Sequence, residues 1–141
     1  MTAERTLVLL KPDALERNLR GEILNRIERK GYTIVAMEQR EATSDELSAH
    51  YAEHADKPFF PSLVDYMSTG SVVAIVLEGT NVIAGFRSLA GATNPTQAAP
   101  GTIRGDLGRE WEDGTVRNLV HGSDAPESAA REIAIWFPAL G

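Results

Sequence analysis

The stretch from residue 71 to 77, Ser-Val-Val-Ala-Ile-Val-Leu, is apolar at nearly every position. A strand with one face in water alternates apolar and polar residues, so this stretch predicts a central strand that is covered on both faces. A second short apolar run, at residues 6–10, is stopped by Lys11-Pro12-Asp13 and predicts another buried strand. The two runs place a sheet at the centre of the predicted fold.

Helical patterns and turn signals separate the predicted strands. Residues 20–30 form an amphipathic pattern followed by Gly31, which predicts a helix and its end. Residues 33–42 predict a strand with an exposed end, and residues 82–90 predict a further helix. Residues 91–101 are small, polar and marked by prolines, which predicts a long loop of the kind that is often functional.

Two capping patterns predict where further helices begin. Thr43 followed by Glu46 has capping-box spacing. The helix that it opens is predicted to carry four side chains along one side, those of Leu47, His50, Tyr51 and His54. Asp124 followed by Glu127 is predicted to cap the last helix, which runs to about Trp136 after a strand that ends near residue 121.

Four strands interleaved with helices predict an α+β fold. We expect a βαββαβ sandwich whose four-stranded antiparallel sheet is covered by helices on one face. The chain has 141 residues, the length of one domain, and shows no linker or internal repeat. Residues 1–141 are therefore predicted to form a single domain.

Composition excludes several classes of function. Lys and Arg number 14 against 20 Asp and Glu, and a net charge of −6 argues against stable binding to nucleic acid or to an anionic membrane. The absence of cysteine excludes disulfides, thiolate metal sites and a cysteine nucleophile. With neither a targeting segment nor an apolar run of the roughly 20 residues that a membrane helix needs, we expect a cytoplasmic protein.

The glycine-rich phosphate-binding motifs are absent. The chain lacks both the G-x-x-x-x-G-K-[ST] motif and a G-x-G-x-x-G after a strand, so any phosphate must be held by side chains.

One short motif resembles a zinc site. His50-Tyr51-Ala52-Glu53-His54 matches H-x-x-E-H, in which two histidines on one helix face share a zinc ion. The alternative is two partly exposed helix histidines, and a match this short favours that alternative over a zinc hydrolase.

Residues 118–124, Asn-Leu-Val-His-Gly-Ser-Asp, are more informative. His121 follows an apolar run and precedes a helix, at a junction of strand ends and helix N-termini where chemistry is common. Gly122 removes side-chain bulk beside the imidazole. If Glu132 on the following helix reaches one ring nitrogen, it fixes the tautomer and leaves the other nitrogen as a neutral nucleophile. The spacing alone permits this arrangement but does not demand it, and a lone histidine at a strand end is more often structural than catalytic.

The segment 118–124 closely resembles the active-site signature of nucleoside diphosphate kinases. The resemblance covers essentially the whole chain: residues 6–17 resemble that family's first strand and lysine, residues 91–106 its long loop and phosphate-binding stretch, and residues 127–133 its last helix. It implies a ferredoxin-like fold. It also implies transfer of the γ-phosphate of a nucleoside triphosphate, mainly ATP, to nucleoside diphosphates by a ping-pong route through a phosphohistidine at His121.

The same resemblance implies roles for the other site residues. Glu132 would orient His121 and Ser123 would support it, while Tyr51 would stand beside the histidine. The phosphates would be held by Lys11, Arg87, Thr93 and Arg104. Phe59 would stack on the base, Asn118 would meet the sugar hydroxyls, and His54 and Leu63 would line the site. Mg²⁺ would bridge the phosphates, held by the nucleotide and water and without a protein ligand.

The chain departs from the family pattern at two places. Fourteen positions lead from Arg104 to Asn118, a few more than the family normally has, and Asp113-Gly114 within them predicts a small hairpin. Val116 is one candidate for the apolar residue that the family places on the other side of the base. Ala125 stands where serine is common, and we expect little effect.

The resemblance further implies a homo-oligomer built of dimers, with a hexamer favoured over a tetramer. A non-catalytic binding module on the same fold, like RNA-binding ferredoxin-like domains, is the alternative from another class. The acidic charge and the lack of an aromatic strand of the RNA-binding type disfavour it.

Overall fold

The computed structural model describes residues 3–114 and 117–140. The strands within these residues are β1 (Glu4–Leu10), β2 (Thr33–Arg40), β3 (Val72–Gly79) and β4 (Val120–Gly122). The α-helices are α1 (Pro12–Glu16), α2 (Arg20–Lys30), α3 (Ser44–His50), α4 (Phe60–Met67), α5 (Val82–Ala90), α6 (Ile103–Leu107) and α7 (Pro126–Trp136). Short 3₁₀ helices at Ala52–His54 and Pro138–Leu140 follow α3 and α7. None of the helices so described is long and apolar enough to cross a membrane.

The strands form one antiparallel sheet in the order β2-β3-β1-β4. β1 is an interior strand, with Val8 opposite Ile75 of β3 and Leu9 opposite His121 of β4. This is the strand order of a ferredoxin-like βαββαβ sheet, so the predicted fold class is confirmed. The pairing of β4 with β1 sets His121 beside the end of β1, which Lys11 follows.

Helices cover both faces of the sheet, so the expectation that they lie on one face is wrong. On the first face, Val8 and Leu10 of β1 pack with Ile27 of α2 and Phe86 of α5. On the second face, the intervening β1 residues pack against α3, α4 and α7, in a cluster with Leu47, Met67 and Trp136. Because β1 and β3 are apolar at successive positions, each face needs its own helical layer to exclude water.

Several local signals are confirmed. α2 spans residues 20–30 and ends at Gly31, whose φ of 97° is the left-handed conformation that glycine adopts readily. Thr43 Oγ1 accepts a hydrogen bond from the backbone N–H of Glu46 at 3.1 Å, and the Glu46 carboxylate accepts from the N–H of Thr43 at 2.9 Å. Both bonds of the predicted capping box are therefore present.

Two predictions about helix ends are wrong. α3 ends at His50, and His54 lies in the separate 3₁₀ helix, so the two histidines do not share one helix face. Asp124 is not the N-cap of α7, because Ala125 occupies that position. Ser128 Oγ accepts the N–H of Ala125 at 3.0 Å and donates to Asp124, which starts the helix one residue later than the Asp124–Glu127 spacing predicts.

The stretch between α6 and β4 contains a turn where the hairpin was expected. The N–H of Gly114 donates to the carbonyl of Trp111 at 3.0 Å, and Arg117 forms an ion pair with Asp113 at 2.8 Å. The strand that would complete the hairpin includes Thr115 and Val116, which lie outside the described residues. The proposed contact of Val116 with a base falls there as well.

Candidate active site

A cleft of about 330 Å³ opens where the ends of β1 and β4 meet α5, the loop after α5, and α6. The cleft wall brings together most of the predicted site residues, which are Lys11, Tyr51, His54, Arg87, Thr93, Arg104, Asn118, His121 and Glu132. They come from segments far apart in the chain. Ser123, Phe59 and Leu63 are not among the residues that line it.

His121 is anchored on one side by Glu132. Nε2 of His121 lies 2.8 Å from Oε1 of Glu132, and Ser123 Oγ donates to the same oxygen at 2.7 Å. Ser123 is fully buried and its hydroxyl also accepts the N–H of Leu7 at 3.2 Å, which ties the group to β1. Burial opposes the charge on Glu132, but the hydrogen bonds from His121 and Ser123 hold the pKa of its carboxyl below the ordinary value.

The hydrogen bond to Glu132 decides which nitrogen of His121 can react. An ionised carboxylate accepts a proton-bearing nitrogen, so Nε2 carries the hydrogen and Nδ1 keeps its lone pair. Within the described residues, no hydrogen bond occupies Nδ1 of His121. The contact with Glu132 that the sequence permitted but did not demand is therefore present, and it leaves Nδ1 as the ring nitrogen without a partner in the described residues.

His50 packs edge-on against His121, with ring centroids 4.6 Å apart. The indole N–H of Trp136 donates to Nδ1 of His50 at 3.0 Å, so this nitrogen is unprotonated. Burial, followed by the influence of His121, lowers the pKa of His50 to about 3. His50 thus supplies an uncharged wall beside the imidazole of His121. The sequence did not indicate this contact, because His50 lies on an ordinary amphipathic helix 71 residues before His121.

Tyr51 is buried against the same site, with 8% of its surface exposed. Burial, and then the negative charge of Glu132, raise the pKa of its phenol. Its hydroxyl has no hydrogen-bond partner among the residues in the described ranges. The phenol therefore stays protonated, with a buried hydroxyl whose hydrogen no acceptor in the described ranges takes.

Lys11 brings a buried positive charge to the opposite side of the cleft. Its Nζ donates to Oδ1 of Asn118 at 2.8 Å, and Nδ2 of Asn118 donates to the carbonyl of Thr93 at 3.0 Å. Burial, followed by the positive charge of Arg104, lowers the pKa of Lys11 to about 8. The ammonium is thus held in place by an uncharged acceptor; it forms no direct ion pair in the described part of the chain, although the charge of Asp13 acts on it.

Arg104 and Arg87 supply two further cations. The Arg104 guanidinium donates to three backbone carbonyls, those of Gly91 at 2.8 Å, Asn118 at 3.1 Å and Val120 at 2.7 Å. Burial, and then the charge of Arg87, lower the pKa of Arg104 to about 10. Arg87 is exposed on α5, and the described residues offer it no ion pair. An anion in the cleft would relieve the mutual repulsion of these side chains.

Two of the residues expected near the nucleoside, Phe59 and Leu63, lie outside the cleft wall. Phe59 is 50% exposed and lies beside His54, with ring centroids 5.5 Å apart. Leu63 is partly buried against the cluster on the second face of the sheet and is not among the residues that line the cleft, so its place in the site stays a prediction. Phe59 and His54 form an open edge of the site.

The geometry does not favour zinc at His50 and His54, since they lie on different elements. The metal-ligand group that the described residues do contain is His50, His121 and Glu132, with ligand atoms within 4.8 Å of one another. Hydrogen bonds already occupy Glu132 Oε1, His121 Nε2 and His50 Nδ1. These contacts account for the cluster without an ion.

Comparison with known proteins decides the family. A family model described as nucleoside diphosphate kinase matches residues 4–140. The chain belongs to the nucleoside diphosphate kinase family. A nucleoside diphosphate kinase of Rhodococcus erythropolis is 60% identical over 138 residues, which cover 97% of this chain and 96% of that relative. One from Mycolicibacterium gilvum is 61% identical over 138 residues, covering 97% and 98%.

Solved structures agree. A nucleoside diphosphate kinase family protein from Babesia bovis superposes with a TM-score of 0.90 at 44% identity, covering 97% of this chain and 90% of that one. The nucleoside diphosphate kinase of Encephalitozoon cuniculi gives a TM-score of 0.89 at 40% identity, covering 95% and 88%. The predicted family and activity are confirmed: the chain is a nucleoside diphosphate kinase enzyme that acts on nucleotides.

Proposed function

We propose that the enzyme carries the phosphoryl group on Nδ1 of His121 between two half-reactions. The supporting observation is the hydrogen bond of 2.8 Å between His121 Nε2 and Glu132, which leaves Nδ1 as the nucleophile in a cleft with three cationic side chains. The donor is a nucleoside triphosphate, mainly ATP, and the acceptor a nucleoside diphosphate. Both are phosphoanhydrides, so an intermediate of similar transfer potential avoids a deep energy minimum between them.

In the first half-reaction, the Nδ1 lone pair attacks the γ-phosphorus. The Nδ1–P bond forms while the bond from phosphorus to the β,γ-bridging oxygen breaks, and the nucleoside diphosphate leaves with that electron pair. The proton on Nε2 stays in place, and Glu132 balances the positive charge that develops on the imidazole ring. The second half-reaction is the reverse, with a different nucleoside diphosphate as acceptor.

In this mechanism, the charged side chains bind the phosphates and stabilise the charge of the transition state. Lys11, Arg87 and Arg104 would hold the phosphate oxygens, and Thr93 would add its hydroxyl. Phosphoryl transfer spreads negative charge over the equatorial oxygens, so fixed cations stabilise its transition state. The Tyr51 hydroxyl would donate beside His121, and Ser123 acts through Glu132 rather than on the nucleotide.

The nucleoside would bind at the open edge of the cleft. Phe59 would stack on the base and His54 would lie beside it. Stacking contacts the flat face of a base and tolerates all bases, which suits a broad nucleotide specificity. Asn118 has one amide hydrogen beyond the bond to Thr93, and we assign that hydrogen to the sugar hydroxyls.

Mg²⁺ fits this site as an ion that arrives with the nucleotide. Mg²⁺ prefers oxygen ligands and keeps several waters, whereas the side chains proposed to hold the phosphates include the three cations Lys11, Arg87 and Arg104. The Glu132 carboxylate is already hydrogen-bonded to His121. Phosphate oxygens and water would therefore hold the ion, which neutralises phosphate charge when bound.

The assembly and location of the enzyme are also proposals. β2 is an edge strand of the sheet, and Met37 on it is 51% exposed. An exposed edge with an apolar residue suits strand pairing with a second copy, and we propose a homo-oligomer of such dimers, with a hexamer favoured over a tetramer. Sedimentation analysis measures the copy number. We further propose a cytoplasmic location, which cell fractionation tests.

Incubation with γ-labelled ATP tests the mechanism. The wild type should acquire a label that acid removes and alkali does not, and His121→Ala should acquire none. His54→Gln is the matched control, and it should still be labelled because no covalent bond is assigned to His54. An acid-stable label, or a label on His121→Ala, would contradict the phosphohistidine.

A further inference from the structure

Leu119 has an unusual backbone conformation. Its φ is 72°, in the left-handed region that residues other than glycine rarely adopt, and its side chain is fully buried. The N–H of Val120 donates to the carbonyl of Asn118 at 2.8 Å, which closes a three-residue turn around Leu119. A γ-turn with a positive φ at its centre is rare and strained, so the surrounding structure must hold it.

Three neighbours hold the backbone of this turn. The N–H of Leu119 donates to Oδ2 of Asp13 at 3.2 Å, and the carbonyl of Leu119 accepts the N–H of Lys11 at 2.8 Å. Arg104 donates to the carbonyls on either side, as described above. Asp13 is the only side chain in the described residues that contacts the N–H of the strained residue, and its carboxylate replaces a partner that regular structure would have supplied.

Asp13 is itself held by Tyr66. The carboxylate is 3% exposed, and the Tyr66 hydroxyl donates to its Oδ1. The same hydroxyl accepts the N–H of Asp13 at 3.2 Å. Burial, and then the hydrogen bond to Asp13, raise the pKa of Tyr66, so the hydroxyl keeps its proton and remains a donor. A buried carboxylate requires such donors, and here one of its oxygens is reserved for Leu119.

The turn joins the two sides of the site. The residue before Leu119 is Asn118, whose amide holds Lys11. The residues after it begin β4, which presents His121. A change in the peptide planes at Leu119 would therefore alter the separation of the nucleophile from the cation that holds the phosphate.

We propose that Asp13 and Tyr66 are positioning residues for phosphoryl transfer, acting through the γ-turn at Leu119. The proposal rests on the proposed role of His121 as nucleophile. Neither side chain touches the nucleotide, and neither lines the cleft. Their effect is on the alignment of Nδ1 with the γ-phosphorus, for which a displacement of about 1 Å is enough to slow a reaction about 100-fold.

Single-turnover labelling of His121 separates this role from a structural one. Asp13→Ala removes the acceptor, and we expect phosphorylation of His121 to slow about 100-fold while the Kd of ADP changes less than about threefold. Asp13→Asn keeps one oxygen for Leu119 and should restore most of the rate. Tyr66→Phe removes one hydroxyl and should fall between these two variants. Tyr32→Phe, outside the cleft, is the matched control and should react like the wild type.

The amide resonance of Leu119 gives a second readout. A hydrogen bond to a carboxylate moves an amide proton downfield, so Asp13→Ala should shift it upfield while Asp13→Asn shifts it less. If Asp13→Ala does not fold, Asp13→Asn and Tyr66→Phe, which keep the side-chain volume, still test the order of rates. A rate within about twofold of wild type in Tyr66→Phe, and in Asp13→Ala where that variant folds, would overturn the proposal, because misalignment predicts a loss of up to about 100-fold.

The labelling experiment also distinguishes a failure of the proposed function from a failure of the positioning role. If the wild type and Tyr32→Phe fail to label on His121, the proposed function fails, whatever the Asp13 variants do. If both label and the rates of Asp13→Ala and Tyr66→Phe match theirs, only the positioning role is wrong.

Discussion

Nζ of Lys11 donates a hydrogen bond to Oδ1 of Asn118 at 2.8 Å, and this bond joins the end of β1 to the segment that leads into β4. It seats a buried ammonium in the wall of the cleft, 8% exposed. An amide is a neutral acceptor, so it orients the ammonium without cancelling its charge. Burial, followed by Arg104, accordingly lowers the pKa of Lys11 to about 8.

We expect nucleotide affinity to fall as pH rises through about 8. Below that pH the ammonium is charged and binds phosphate, whereas above it the free enzyme holds a neutral amine and must take up a proton on binding. A hydrogen bond to a charged group contributes roughly 1.5–3 kcal/mol, so the Kd of ADP should rise about tenfold or more. Calorimetric titration with ADP at pH values below and above about 8 measures the change in Kd. Lys11→Met is the control, and an equal pH dependence in that variant would contradict the assignment to Lys11.

Glu132→Gln should slow phosphorylation of His121 about 100-fold, since partners that orient a reactive group are typically worth about 10- to 100-fold. The amide keeps the volume but supplies no negative charge to balance the imidazole during attack. Ser123→Ala removes one of the two hydrogen bonds to Glu132 Oε1 and should cost less, about tenfold. Rapid-quench labelling measures both rates. Glu127→Gln, on the exposed first turn of α7, should match the wild type, and a similar loss there would point to a general charge effect.

His50 should make the protein less stable in mild acid. Its pKa is about 3 in the folded protein against an ordinary 6.5, so between these values the unfolded chain binds the additional proton. The free energy of unfolding should therefore decrease by about 1.4 kcal/mol per pH unit as pH falls below 6.5. Urea unfolding between about pH 7 and pH 5 measures the slope, which His50→Phe should flatten and His54→Gln should keep. An unchanged slope in His50→Phe would assign the effect to other groups.

Gly122→Ala should destabilise the fold, because a Cβ at this position would lie 2.6 Å from Cδ2 of the buried Phe86. Crowding of a packed core costs about 1–3 kcal/mol, and the neighbouring His121 should shift with the strand. Denaturant unfolding and the labelling rate report the two effects. Gly21→Ala in α2 meets no atom within 4 Å and should raise stability slightly. Equal stability of the two variants would mean that Phe86 moves aside at no cost.

The sequence predicted correctly those helix boundaries that depend on residues close to them in the chain. The α2 boundaries at residues 20–30 and the Thr43 capping box were predictable, because an apolar stripe, a terminal glycine and a cap act within a few residues. The start of α7 was mispredicted because Ser128 Oγ accepts the N–H of Ala125, which makes Ala125 the N-cap instead of Asp124. The helical layer on the second face of the sheet was not predicted. An apolar strand shows that its faces are covered but does not show which helices cover them.

The sequence by itself determined the sheet, most helices and the family, since these follow from apolar periodicity and from an ordered set of motifs along the whole chain. It also indicated His121 and Glu132 as partners. Only the tertiary structure decided that neutral His50 packs against His121, that helices cover the second face of the sheet, and that Asp13 holds the turn at Leu119. The physical reason is that burial and hydrogen bonds between distant segments depend on how the layers pack, and a residue's neighbours in the chain do not encode them.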